Sequence, residues 1–318
     1  MKVGKKTLFL VRLLVVVAAY AFVFLSVYRQ GGSNFSDAFA QVSPSKSWLI
    51  FAMAILLMPL SWVIEALKWN WAIRGFAPES LARSFKSVWY GVGVGLLTPN
   101  RVGEPFGRMA MVNPDVRANA GVMAVLCAVS QQMVTICFGL FGLFILTKKY
   151  SDNLNYLLGN SWVLVLLGLS VLVVLLLLVR MKFISKHILK LSAISRLLAH
   201  DDVEIDISSN LVIKLLLASI IRYSLFTSQF YLMLNFFGID ANSIEIYAAI
   251  FSAYLFASVV PSFALGEGGV RASFAVTFLG VLWYNPLSIA SAALLLWMVN
   301  VALPGLIGVW FPVVKNNE

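Results

Sequence analysis

Charge is scarce in this chain: aspartate, glutamate, lysine and arginine make up 12% of its 318 residues. Histidine and cysteine are scarcer still, at two each. A metal centre therefore has little to be built from. The acidic run His200-Asp-Asp-Val-Glu-Ile-Asp206 lacks a ligand spacing and reads as an exposed loop. Cys127 and Cys137 lie in one apolar run, too far apart along a helix to bond each other, and read as packing residues. There is no Walker sequence and no nucleophile–base constellation, and His187 and His200 both fall in one inner loop. Neither catalysis nor a cofactor or metal is expected.

What is abundant is apolar surface. Hydrophobic residues make up 60% of the chain, and mean hydropathy is +0.88. Several apolar runs approach the ~20 residues needed to cross a bilayer. The expected fold is all-α, a polytopic membrane protein. A membrane β-barrel would alternate polar and apolar residues, whereas residues 171–179 are uniformly apolar. The formal net charge is +10. In a soluble protein that would point to nucleic acid; here lysine and arginine gather at the ends of apolar runs, as the positive-inside rule requires. The expected partners are the membrane and an anionic lipid within it, with a homo-oligomer left open and no nucleic acid. The expected location is the inner membrane, with both termini cytoplasmic.

The first apolar run, at 7–28, follows Lys2, Lys5 and Lys6. It is longer than a signal-peptide core and shows no small-x-small cleavage site, so it reads as an uncleaved span. Crossings are expected near 8–28, 48–67, 118–146, 162–179, 211–237 and 287–310. Glu65 and Lys68 are taken as the polar end of the second. Arg180, Lys182, Lys186, Lys190 and Arg196 form the densest basic cluster, and Lys182, Lys186 and Lys190 share a face away from an apolar stripe, which predicts a basic amphipathic helix on the inner leaflet.

Two stretches do not fit plain crossings. The first is Thr98-Pro-Asn-Arg-Val-Gly-Glu-Pro-Phe-Gly-Arg108, set between apolar residues on both sides. Pro99, Gly103 and Pro105 forbid a continuous helix. Broken, charged backbone at membrane depth is costly unless it lines a cavity. Its arms are too short to cross, which predicts a re-entrant hairpin over 88–112, with Ser80 capping a helix ahead of it. The second is Gly266-Glu-Gly-Gly-Val-Arg271, in a hairpin over 244–282. Glu267 minus Glu104 is 163, and Arg271 minus Arg108, Ser243 minus Ser80 and Gly238 minus Gly75 give the same offset. The chain then divides into membrane repeats at 1–150 and 151–318, inverted relative to each other, an architecture of secondary transporters.

Glu104 and Arg108, and Glu267 and Arg271, are four apart and share a helix face, with each glutamate near a positive helix start. They could be two buried ion pairs that lock the hairpins. They could instead line a midplane chamber in which Arg101, Arg108 and Arg271 bind a phosphate. Arg222 and Arg12 are secondary candidates, Arg12 as a snorkelling end residue. Gln131 and Gln132 are neutral donors for the chamber or for helix–helix contacts.

Pro99-Asn-Arg-Val-Gly-Glu104 with Arg108, and Gly266-Glu-Gly-Gly-Val-Arg271 ahead of a span containing Pro304 and Gly305, resemble the lysylphosphatidylglycerol synthase transmembrane-region family, flippase-like integral membrane proteins. The resemblance covers nearly the whole chain. It implies movement of an anionic phospholipid or a polyprenyl-phosphate-type lipid between leaflets. The aminoacyl-lipid synthase activity is not expected, because the chain ends at Glu318 without a cytosolic domain. The chain departs from the family pattern in spacing Glu104 and Arg108 by four, and in carrying Ala272 where an acidic residue follows the second arginine. A secondary transporter of a small organic anion, or a lipid-headgroup enzyme, are the competing readings.

Overall fold

The computed structural model describes residues 44–98, 101–150, 207–239, 243–260, 262, 264–282 and 285–312, with Ala21 standing alone. The expected spans at 8–28 and 162–179, the basic helix, the acidic loop and Arg12 lie outside the described residues. Among the described residues the secondary structure is helical, with no strand. Four helices are long and apolar enough to cross a membrane: Trp48–Ile73, Pro114–Lys149, Ser209–Phe236 and Pro286–Gly308. The chain is a multi-pass helical membrane protein.

The first helix, α1, spans Pro44–Ile73 and contains Pro59. Proline removes one backbone bond and exposes carbonyls of the preceding turn. Close to it, the buried Gln229 amide donates to the Ala54 carbonyl at 2.9 Å, and the helix continues. Its length corrects the boundary expected at 67. Glu65 and Lys68 do not mark an end; they are 3% and 1% exposed, in a helix that runs on through Trp69 and Ala72 to Ile73.

A short loop leads to α2, Leu81–Leu96, where the Ser80 hydroxyl accepts from the Arg83 amide as expected. The turn is tied back to α1 by Asn70, which donates to the Glu79 carbonyl at 2.8 Å. Helix α2 ends near Thr98, and α3, Gly103–Ala110, packs back along it. This packing needs glycine: a Cβ on Gly107 would lie 2.7 Å from the Gly91 Cα. A 3-10 turn at Pro114–Val116 then opens α4, Arg117–Lys149.

In the second half, α5 spans Ser209–Phe236, α6 Ser243–Val259 and α7 Ala264–Gly280. The last crossing is interrupted. It comprises α8 at Pro286–Trp297, a π turn at Met298–Ala302 and α9 at Leu303–Gly308. Pro304 cannot donate to the turn before it, and a π turn redistributes the orphaned carbonyls there.

Helices α1 and α5 pack along each other in opposite directions: Trp48 stacks edge-on to Phe236, while Lys68 reaches Ser219. Helix α6 packs on α4, and α9 packs on α2. The core divides into two apolar clusters. One gathers Ile73, Val88, Val112, Ala120 and Leu215; the other gathers Leu146, Phe236, Ile246, Ala275 and Leu279. The start of α2 therefore sits with the end of α1 and the start of α4. At the far end of α4, Lys149 and Tyr150 both bond Glu245 in the first turn of α6. At ~1.5 Å per residue, the 33 residues of α4 separate these two ends by the full depth of the bundle.

Candidate functional site

The break between α2 and α3 is shaped by Thr98. Its hydroxyl accepts from the Gly103 amide at 2.7 Å and donates to the Gly95 carbonyl at 3.0 Å. One side chain thus caps an amide at the start of the second half-helix and adds a further donor to a carbonyl at the end of the first, which already accepts from the Thr98 amide at 3.0 Å. Arg101 follows with φ 56, the left-handed region, the only non-glycine among the described residues to adopt it. Left-handed backbone in a side-chain-bearing residue is strained and tends to persist where the surroundings demand it. Here it directs the guanidinium between the two hairpins. Arg101 Nε lies 3.7 Å from Glu104 and 3.9 Å from Glu267.

The two motifs, far apart in sequence, therefore meet. Arg271 binds Glu267 through Nη2 at 2.7 Å and Nε at 3.0 Å. Arg108 Nη2 is shared between Glu104 at 2.6 Å and Glu65 at 2.8 Å. Glu65 also holds Lys68 at 2.8 Å and approaches Arg222 Nε at 3.6 Å. These contacts form one continuous file of alternating sign: Lys68, Glu65, Arg108, Glu104, Arg101, Glu267, Arg271, with Arg222 branching from Glu65. The two pairs expected at spacing four are present, but as links in this file rather than as separate locks.

Two cavities flank it. One, of about 310 Å³, is bordered by Arg101, Arg222, Glu267, Arg271, Tyr254 and Asn300. The other, of about 600 Å³, is bordered by Glu65, Glu104, Arg108, Val102 and Phe106. Arg101, Arg222, Gln131 and Gln132 stand in the walls of both. Of the candidate site residues expected from the sequence, all eight that fall among the described residues border one cavity or the other. Gln131 accepts from Arg222 Nη1 at 3.4 Å, and Gln132 donates to Ser258 at 2.8 Å. Trp62 and Tyr254 lie beneath Arg222 and Arg271 as cation–π partners.

A family model described as the lysylphosphatidylglycerol synthase TM region matches residues 9–308. The chain belongs to that family. The match takes in both charged hairpins and the interrupted last helix, and the family name links the chain to membrane lipid metabolism. No curated protein matches it.

Several participants were not anticipated. Glu65 and Lys68 look like a surface edge in the sequence because charge normally ends an apolar run. The contrary signal is the largely apolar stretch after them, Trp69, Trp71, Ala72 and Ile73, interrupted only by Asn70. Asn300, in the wall of the smaller cavity, forms a reciprocal amide pair with Gln229, at 3.1 and 3.3 Å. An asparagine just ahead of a proline inside an apolar helix is a visible cue for such a polar turn.

Proposed function

We propose that this protein moves an anionic lipid, a phospholipid or a polyprenyl-phosphate-type lipid, from one leaflet to the other, holding its head group against the file of charges. The observation that carries this reading is the file itself. Charges buried at this cost in an apolar bundle call for a role, and the file joins two cavities at arginines common to both. Arginine suits phosphate because its fork can bind two oxygens at once.

The architecture in this reading is an inverted repeat of two re-entrant hairpins. Its support is in the element boundaries. Helices α1 and α5 end at Ile73 and Phe236, and α2 and α6 end at Leu96 and Val259; 236 minus 73 and 259 minus 96 both give 163, the motif offset. The packing of α6 on α4 has its counterpart in α9 on α2. The two hairpins also begin at opposite ends of α4, and each turns back at its break. The reading includes an inner-membrane location with cytoplasmic termini. Its support is the basic end of the bundle, where Arg74 and Lys214 line one recess beside the starts of α4 and α5.

A lipid is favoured over a small soluble anion by the wall of the larger cavity. Val102 and Phe106 are 59% and 50% exposed on its border. An apolar, outward-facing rim admits acyl chains from the side. The protein is taken to be a transporter rather than an enzyme, and lipid mass spectrometry would overturn that with an altered product.

The test is flipping of fluorescent phosphatidylglycerol in reconstituted vesicles. The wild type should exceed protein-free vesicles, and Arg101→Ala should fall by about tenfold or more, as expected for loss of a charged contact to the moving head group. Equal rates in all three would end the proposal.

A further inference from the structure

The file of charges does not balance. Five positive side chains stand against three carboxylates. The other carboxylates among the described residues are elsewhere: Glu79 and Asp115 lie in the turns at one end of the bundle, and Glu245 binds Lys149 at the other. An excess of two positive charges in a low-dielectric interior demands compensation.

The excess has an address. Lys68, Arg108 and Arg271 each hold a carboxylate at 2.6–2.8 Å. Arg101 and Arg222 do not. Among the described residues their nearest carboxylate approaches are 3.6–3.9 Å. Arg101 Nε and Nη2, and Arg222 Nε, are buried and lack a hydrogen-bond acceptor among the described residues; Arg108 Nε and Nη1 do too, but its Nη2 already holds two carboxylates. These are also the two arginines present in both cavity walls, with the amides of Gln131 and Gln132 beside them.

We infer that the space between Arg101 and Arg222 is a binding site for a phosphomonoester dianion, the head of a lipid that ends in a bare phosphate. This rests on the lipid-transport reading and narrows its substrate class. The reason is the charge. A phosphomonoester near neutral pH carries about −1.5 to −2, which cancels the excess. A phosphodiester carries one negative charge and leaves one positive charge uncompensated. A zwitterionic head leaves both. A terminal phosphate also offers three oxygens to two forks and two amides, whereas a diester gives up one of these to its second substituent.

The experiment measures binding, separately from flipping, with the full chain in detergent micelles. The probes are short-chain phosphatidic acid, phosphatidylglycerol and phosphatidylcholine, with glycerol 3-phosphate as the chain-free phosphomonoester. Phosphatidic acid should bind about tenfold or more tightly than phosphatidylglycerol, with phosphatidylcholine weakest. Arg222→Gln cuts the excess from two to one and should erase the preference between the two anionic lipids while both still bind. Glu267→Gln raises the excess to three and should tighten both, a change that misfolding cannot mimic. Equal affinity of the wild type for phosphatidic acid and phosphatidylglycerol would overturn the inference, even if flipping of phosphatidylglycerol succeeded. Glycerol 3-phosphate binding as tightly as phosphatidic acid would uphold the head-group chemistry while removing the lipid reading.

Discussion

Glu65 has a demanding position. It is 3% exposed and stands within 3.6 Å of Lys68, Arg108 and Arg222. Neutralising it takes from Lys68 and Arg222 the carboxylate they face and from Arg108 one of two. Removing one partner of a buried ion pair typically costs about 3–5 kcal/mol. Glu65→Gln should therefore lower the melting temperature in detergent far more than Glu104→Gln, whose carboxylate is 21% exposed and open to the larger cavity. Equal shifts for the two variants would show that solvent reaches both sites alike. Arg101 differs in kind: it is held by backbone strain and distant charge rather than by hydrogen bonds, so its removal should affect transport more than melting.

Among the elements, the break between α2 and α3 depends on a small number of groups. Thr98 joins the two half-helices through one hydroxyl. Thr98→Val keeps the shape and deletes both bonds, which should cost about 1 kcal/mol as for a lost helix cap. Faster amide exchange at Gly103 and Glu104, with α4 unchanged, is the expected signature. Uniform exchange along both helices would place the constraint elsewhere. This hairpin was legible in the sequence because proline, glycine and charge coincide within eleven residues. Helices α4 and α5 lie close to the apolar stretches expected at 118–146 and 211–237, which apolar length and a polar border mark. The true end of α1 was not legible, because a charged pair inside a helix cannot be distinguished from one at its edge without knowing what faces it. Arg222 and Arg108 supply that answer from α5 and α3, across more than forty residues of sequence separation in the nearer case. The π turn around Asn300 was equally hidden, although Pro304 marked its place.

At the scale of the whole molecule, the inverted-repeat reading makes the two hairpins enter from opposite sides of the membrane. Arg83 in the first turn of α2 has a side chain 51% exposed, and Ile244 in the first turn of α6 is 65% exposed. In a background with Cys127 and Cys137 replaced by alanine, Arg83→Cys and Ile244→Cys should react with an impermeant maleimide from opposite faces of sealed vesicles. Reaction from the same face would rule out the inversion and leave only the meeting of the two motifs at Arg101. That meeting was anticipated from the sequence in outline, since a repeated charged break has little reason to be buried twice in separate places. Its extension to Lys68 and Arg222 was not, because Glu65, which joins them to Arg108, belongs to neither copy of the motif.

The unmatched pair of arginines has an electrical consequence. Without cargo the centre of the protein is positive; with a doubly charged head group it is close to neutral. A membrane voltage exerts about 2.3 kcal/mol per elementary charge per 100 mV on anything that carries charge through the whole field. The loaded protein would therefore be nearly indifferent to voltage, while the vacant one would be drawn toward the negative side. Polarising the membrane would act on the return of the unoccupied carrier, and so bias which leaflet it waits to face.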